Sequence, residues 1–290
     1  MDLTAFLQAT IGGLLAGGVL ALIAVGLNLI FGVLDIVNFA HGEFLVLGMY
    51  ASFGLFLLAG VDPYLSVLLV APVFFGLGMG IEKLLIHRVL TAKSNIQILL
   101  TLGLSLFLQN AMLVAAGPDY RVAEVGYARA ILRVGDLAIN LPKAYAFVGA
   151  TVLTVALWLF LEYARLGKAI RAASQDREAA LLIGVRVKRV FGIAFGIGIA
   201  CVAAAGALMT PFYYIAPDVG LVFVLTAFIT VVLGGMGSFG GALAGGLLVG
   251  VLEAWGALFL PGSLAQVPIF LFFIAVLLFR PTGLFGARAA

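Results

Sequence analysis

The sequence predicts an all-α polytopic membrane protein with about nine transmembrane helices, and three observations predict it. Hydrophobic residues make up 64% of the 290 positions and charged residues only 10%, whereas soluble domains run near 25% charged. The apolar residues come in runs of about 20, the length that crosses ~30 Å of hydrocarbon at 1.5 Å per residue. No stretch alternates apolar and polar residues as barrel strands do. In water this composition would leave large exposed apolar patches; a bilayer accommodates it.

The runs fall at about residues 6–32, 44–60, 63–81, 96–116, 143–161, 190–210, 220–234, 241–260 and 266–279. The run at 220–234 is short, and is expected to be tilted or broken. Glycine, at 37 residues, is abundant, as it is in membrane helices. The opening Met1-Asp2-Leu3 lacks the basic n-region and cleavage site of a signal peptide, so the first run is read as a retained helix. The single cysteine, Cys201, excludes an intrachain disulfide and any metal cluster built on thiolates.

Lysine and arginine set the expected orientation. Residues 162–189 carry Arg165, Lys168, Arg171, Arg177, Arg186, Lys188 and Arg189, opposed only by Glu162, Asp176 and Glu178. This loop is expected in the cytoplasm, as are Lys83, Arg88 and Lys93 in the loop 82–93 and the tail with Arg280 and Arg288. The N-terminus, with no basic residue before Lys83, is expected outside. The loop 117–142 is nearly balanced in charge, and the span count places it outside. The whole chain, 1–290, reads as one transmembrane domain with the basic loop 162–190 inside it.

Three segments depart from the apolar pattern. The first is NLIFGVLDIVNFAHGE, Asn28 to Glu43. Polar groups at membrane depth are costly and usually face a cavity or a bundle interior. Asn28, Asp35, Asn38, His41 and Glu43 are therefore candidate pathway residues. The three-residue spacing of Asp35, Asn38 and His41 would put them on one helical face. A short water-exposed loop between two spans is the other reading, and both stay open here.

The second segment is the basic loop. Ala169, Ala172, Ala173, Ala179 and Ala180 favour one or two short amphipathic helices, and Gly184 would end the second. A small-residue face rimmed by charge suits close approach by another protein. A plain charged surface loop is the bland alternative. The third is LGGMGSFGGALAGGLLVGVLE at 233–253. Gly237, Gly241 and Gly245 are four apart, as are Gly246 and Gly250. This small-xxx-small pattern lets helices touch backbone to backbone, and packing is favoured over direct substrate contact. Weaker versions occur at Gly13 and Gly17 and at Gly76 and Gly80.

Some function classes lack their motifs. There is no GxxxxGK[ST] phosphate loop, no nucleophile elbow or zinc-protease signature, no arginine ladder and no TVGYG filter. Glu253 and Asp35 are read as the intramembrane carboxylates, too few for an ion relay. That counts against a stand-alone channel or secondary transporter.

GLNLIFGVLDIVNFAHGEFLVLGMYAS at 26–52, GKAIRAASQDREAALLIGV at 167–185, VVLGGMGSFGGALAGGLLVGVLE at 231–253 and FRPTGLFG at 279–286 together resemble the LivH-type permeases of branched-chain amino acid ABC importers. Glu178-Ala179-Ala180 followed by Gly184 matches the first half of the EAA coupling motif; the later I-x-L-P half is missing. The resemblance implies a fold similar to the cobalamin-importer permeases with one fewer N-terminal span. It implies coupling to an ATPase through Ser174, Gln175, Asp176, Arg177, Glu178, Ala179, Ala180 and Gly184. The implied partners are a homologous LivM-type permease, two LivG/LivF-type ATP-binding subunits and a periplasmic or lipid-anchored solute-binding protein. ATP and Mg would be bound by those subunits, with no cofactor or metal in this chain and no catalytic site. Branched-chain amino acids are the expected solute; urea, amides and aromatic acids are the alternatives within the same importer type.

Overall fold

The computed structural model of the chain describes residues 3–286, so the orientation argument from Arg288 lies outside the described residues. Eleven α-helices carry the fold. They are α1 (Leu3–Leu34), α2 (His41–Ala59), α3 (Pro63–Leu84), α4 (Ser94–Ala116), α5 (Leu141–Tyr163), α6 (Arg165–Gln175), α7 (Arg177–Leu182), α8 (Val187–Met209), α9 (Val219–Gly234), α10 (Phe239–Phe259) and α11 (Val267–Phe279). Seven of them are long and apolar enough to cross a membrane. α9 and α11, with 16 and 13 residues, fall short of the ~20 that a straight crossing needs. All nine apolar runs are thus helical, but seven of them have spanning length.

Local chemistry sets the helix ends. Asp62 accepts from the Tyr64 N–H at 2.8 Å to start α3, whose first residue is Pro63. Asn140 accepts from Lys143 N–H to start α5, and Ser238 from Gly241 N–H to start α10. A side-chain oxygen there satisfies an N–H that the helix itself leaves unpaired. Gly60 ends α2 in the left-handed conformation, φ 65°, where a Cβ would be strained. The charge-balanced loop holds a hairpin, β1 (Ile131–Val134) against β2 (Leu137–Asn140), antiparallel with Val134 opposite Leu137. The two-residue Gly135-Asp136 turn, with Gly135 at φ 61°, is a hairpin signal that the search for spans passed over.

α1 is the buried centre of the bundle. At 32 residues it runs about 48 Å, and Ala21, Leu22, Ile23 and Ala24 have no exposed surface. α10 packs on it through glycine. A Cβ on Gly13 would lie 2.7 Å from the Gly250 carbonyl, and one on Gly17 would lie 2.9 Å from that of Gly246. α8 uses the same device three times: Gly198 faces the Gly26 carbonyl of α1, Gly196 the Phe75 carbonyl of α3, and Gly206 the Leu45 carbonyl of α2. In lipid, where apolar surface gains nothing by leaving the tails, such close packing holds helices together.

The glycine reading needs two corrections. Gly241 and Gly245 do lie on a packing face, against Gly234 and Thr230 of α9, while Gly246 and Gly250 meet α1. Gly237, however, precedes α10 and sits in the connecting turn at φ 82°, with no neighbour where a Cβ would go. Ser238 caps the helix after it, so the four-residue series starts one member later. Gly76 and Gly80 also face open space, because the face of α3 that meets α8 is the one carrying Gly78.

Substituting Gly246→Leu should destabilise the detergent-extracted protein by about 1–3 kcal/mol, the usual cost of forcing atoms into a packed contact. Gly103→Leu in α4, where the space is open, serves as the control. Thermal unfolding followed by size-exclusion chromatography measures both, and equal midpoints would show that the α1–α10 contact is not tight.

Candidate functional site

The segment after α1 is neither a helical face nor a water-exposed loop. Asp35 takes φ 60° and ends the helix. The chain then runs without regular structure to Ala40, folding back along α1. As a result the His41 ring reaches the Ile23 carbonyl at 3.1 Å, about three turns before the end of α1. The expected common face for Asp35, Asn38 and His41 does not form, because the backbone between them is not helical. Asp35 is exposed, whereas Asn38, His41 and Glu43 are buried.

Here a polar cluster sits inside the bundle. A carbonyl can only accept, so Nε2 of His41 donates to Ile23 and Nδ1 is left as an acceptor. The Ser105 hydroxyl of α4 donates to Glu43 Oε1 at 3.1 Å. The other oxygen faces the first turn of α9: a Cβ on Gly220 would stand 2.6 Å from Glu43 Oε2. Among the described residues, His41 Nδ1, Glu43 Oε2 and both polar atoms of the Asn38 side chain lack a hydrogen-bond partner. Buried polar atoms are nearly always paired, so this cluster has unused capacity for water, a solute or a rearranged neighbour. Glu43, and Glu82 beside His87 at 3.2 Å, are both buried. The buried carboxylates thus include two that the search for intramembrane charge passed over, whereas Asp35 is exposed. Among the described residues no group of three or more His, Cys, Asp or Glu is placed to hold a metal.

The remaining pathway candidates join the coupling segment instead. Asn28 accepts from the Gly237 N–H at 2.7 Å, and the φ of 82° at that turn is what favours glycine there. Asn28 and Gly237 line a cavity of about 540 Å³ together with Trp158, Arg171, Ser174 and Gln175. Asp35, Ser174, Gln175 and Arg177 share the adjoining cavity of about 400 Å³. The tail motif closes this region. Leu284 N–H donates to the Leu233 carbonyl and Phe285 N–H to that of Gly234, satisfying the end of α9, and Phe285 lines the larger cavity.

In the coupling segment itself, Asp176 Oδ1 accepts from the N–H groups of Glu178 and Ala179 and starts α7. Gly184 follows it at φ 84°. Arg177 points back into the body: its guanidinium donates to the Leu34 carbonyl at 2.8 Å and lies over the Phe191 ring. Ala180 is buried beneath. Leu181, Leu182 and Ile183 project, 57%, 89% and 75% exposed, beside the exposed Ser174, Gln175, Asp176 and Glu178. The alanine pattern drew attention to the buried side of α7. The signal for the exposed side was the Leu181-Leu182-Ile183 run just before a helix-ending glycine.

A second cavity, of about 470 Å³, lies at the opposite end of α1. Its wall includes Met209, Phe212, Tyr213 and Phe223, with Lys143 and Glu253 among them. Burial first, then the contact with Tyr214, pushes the Tyr213 phenol above its ordinary range, so it is neutral at physiological pH.

The family model described as branched-chain amino acid transport system, permease component, matches residues 9–279. The chain belongs to this permease family. It is 35% identical to the high-affinity branched-chain amino acid transport system permease protein LivH of Salmonella typhimurium, over 97% of this chain and 96% of that one. The permease is 32% identical to BraD of Pseudomonas aeruginosa, a protein of the same description, over the same shares. It is also 29% identical to the fructose import permease protein FrcC of Rhizobium meliloti, over 67% of this chain and 56% of that one. No solved structure matches the permease. Membership implies ATPase and binding-protein partners for this multi-pass membrane protein.

Arg177→Ala should loosen α7 from the body by roughly 1.5–3 kcal/mol, the worth of a hydrogen bond to a charged group. Hydrogen exchange at residues 174–184 of the purified permease is expected to rise by tenfold or more. Exchange equal to wild type would show that the Leu34 contact does not hold the segment.

Proposed function

We propose that the chain is the membrane-spanning subunit of an ATP-driven, binding-protein-dependent importer of branched-chain amino acids. It works by alternating access in a bacterial or archaeal cytoplasmic membrane and has no ATPase site of its own. The observation that carries this reading is the coupling segment. A short helix, tied to the body by Arg177 and Ala180, offers Leu181, Leu182 and Ile183 to whatever lies beyond the membrane. An exposed apolar tip marks a protein or membrane contact, and its place in the charged loop 162–190 favours a protein. The full-length likeness to amino-acid permeases supplies the substrate class.

In this scheme a LivM-type second permease completes the membrane part, and two LivG/LivF-type subunits hold ATP and Mg. A periplasmic or lipid-anchored protein delivers the solute. The N-terminus lies outside and the C-terminus, with the 162–190 loop, in the cytoplasm. When ATP closes the motor dimer, α6 and α7 move with it. Asp176 and Glu178 at the start of α7, and Gly184 at its end, keep its shape, and the apolar tip makes the contact.

Leu182→Glu should abolish capture of the ATPase subunits by the detergent-extracted permease. ATP-dependent leucine uptake into proteoliposomes should fall at least tenfold, while the permease still elutes as a folded species. Full uptake by this variant would overturn the coupling assignment. Leucine uptake by the wild-type permease alone, with no ATPase subunit present, would overturn the importer reading itself.

A further inference from the structure

We propose that the cavity between α1, α5, α9 and α10 is a binding site for a zwitterionic amino acid with an apolar side chain, held between Lys143 and Glu253. This rests on the importer reading and assigns the residues that receive the solute within the membrane subunit.

The cavity lies at the end of α1 away from the coupling segment. It is bounded by the first turns of α1, the start of α5, the last turns of α10 and the chain leading into α9. Its volume of about 470 Å³ falls within the ~300–1,000 Å³ of small-molecule sites. Toward the middle of the membrane it is closed by the fully buried stretch Ala21–Ala24, where α10 packs on α1. A solute entering from the α5 hairpin side therefore stops here.

The lining carries one cation and one anion. Lys143 projects from the first turn of α5, and Glu253 from α10. Both are half-buried. Among the described residues neither makes an ion pair within 4.0 Å, although they share one wall. Opposite charges left apart in a mostly apolar cavity are costly for the protein alone. A ligand bearing an ammonium and a carboxylate on one carbon pairs with both at once, and charged hydrogen bonds of this kind are the strong ones.

The rest of the wall fits the rest of such a ligand. Met209, Phe212 and Phe223 present apolar surface, and Tyr213 adds a neutral ring. A sugar or urea offers no charge to either residue and would leave both unpaired. That separates this site chemically from one built for neutral solutes.

The test uses the complete transporter in proteoliposomes: this permease, its second permease, both ATPase subunits and a leucine-loaded binding protein. Lys143→Met and Glu253→Gln should each raise the half-saturating concentration of loaded binding protein, or lower the maximal leucine uptake, by about tenfold or more. Both neutral variants should keep the wild-type thermal unfolding midpoint of the purified permease, which a purely structural Lys143–Glu253 interaction would not predict. Should either neutral variant fail to assemble, Lys143→Arg and Glu253→Asp keep the charge and shift its position. They should then depress leucine uptake in proportion to that shift. Leucine uptake unchanged in all assembled variants would overturn the site while leaving the importer intact. No ATP-dependent leucine uptake by the wild-type complex would instead overturn the importer reading on which the site rests.

Discussion

Everything in this bundle is arranged around the close approach of α1 to α10 and α8. A helix with no exposed side chains over its central turn has to be surrounded, and in lipid the surrounding helices gain nothing from the hydrophobic effect. What holds them is contact area and dispersion between backbones. Gly13 and Gly17 on α1, Gly246 and Gly250 on α10, and Gly198 on α8 remove the side chains that would keep the axes apart. Once α1 is enclosed in this way, α2 and α3 pack on the remaining sides of α8, while α4 and much of α11 are left on the outside.

Enclosure makes helix breaks affordable in the places where they occur. A bilayer supplies no water to an unpaired carbonyl, so irregular backbone is tolerated only inside protein or along a cavity. Each break here has its partners. The Leu34 carbonyl, at the end of α1, receives the Arg177 guanidinium. The end of α9 receives Leu284 and Phe285 N–H from the tail. The turn before α10 donates through Gly237 to Asn28. The chain between α8 and α9 is tied to the loop after α4 by two backbone bonds between Ile215 and Arg121, at 2.8 and 3.0 Å. The side chains that satisfy these breaks, Asn28 and Arg177, belong to the two segments whose polarity stood out in an otherwise apolar chain.

That explains what was legible beforehand. Helical runs, their order and the two short helices of the basic loop follow from local composition, which hydropathy and propensity read directly. The fate of residues 35–40 does not. A polar stretch between two spans has the same composition whether it lies in water or folds back into the bundle. Only tertiary contacts, such as His41 on Ile23, distinguish the two. Spacing arguments failed for a related reason. They assume a continuous helix, and Asp35 at positive φ and Gly237 at positive φ each interrupt one. Lys143 and Glu253 were invisible as a pair because 110 residues separate them. Glu253 reads as an intramembrane carboxylate, and nothing short of the fold places it in one cavity with Lys143.

The position of the two main cavities follows from the same contact. One lies along Val25 to Val33 of α1 with the turn before α10, the other along Ala9 to Leu20 with the last turns of α10. Between them glycine meets backbone, and toward the start of α1 the Phe6 ring stacks on Trp255 while the Trp255 indole N–H donates to the Thr10 hydroxyl. Such a seam resists separation, and a shift of α1 along its length has to carry or break the Phe6–Trp255 stack and the Thr10 bond. A packed interior transmits such a shift rather than absorbing it. α7 is attached to α1 at the carbonyl of Leu34, the last residue of the helix. In the proposed import cycle, motion of the coupling segment therefore acts on α1, which borders both cavities together with α5 and α10. Coupling of distant sites requires an element that both sites bias, and α1 touches the coupling segment at Leu34 and both cavities along its length.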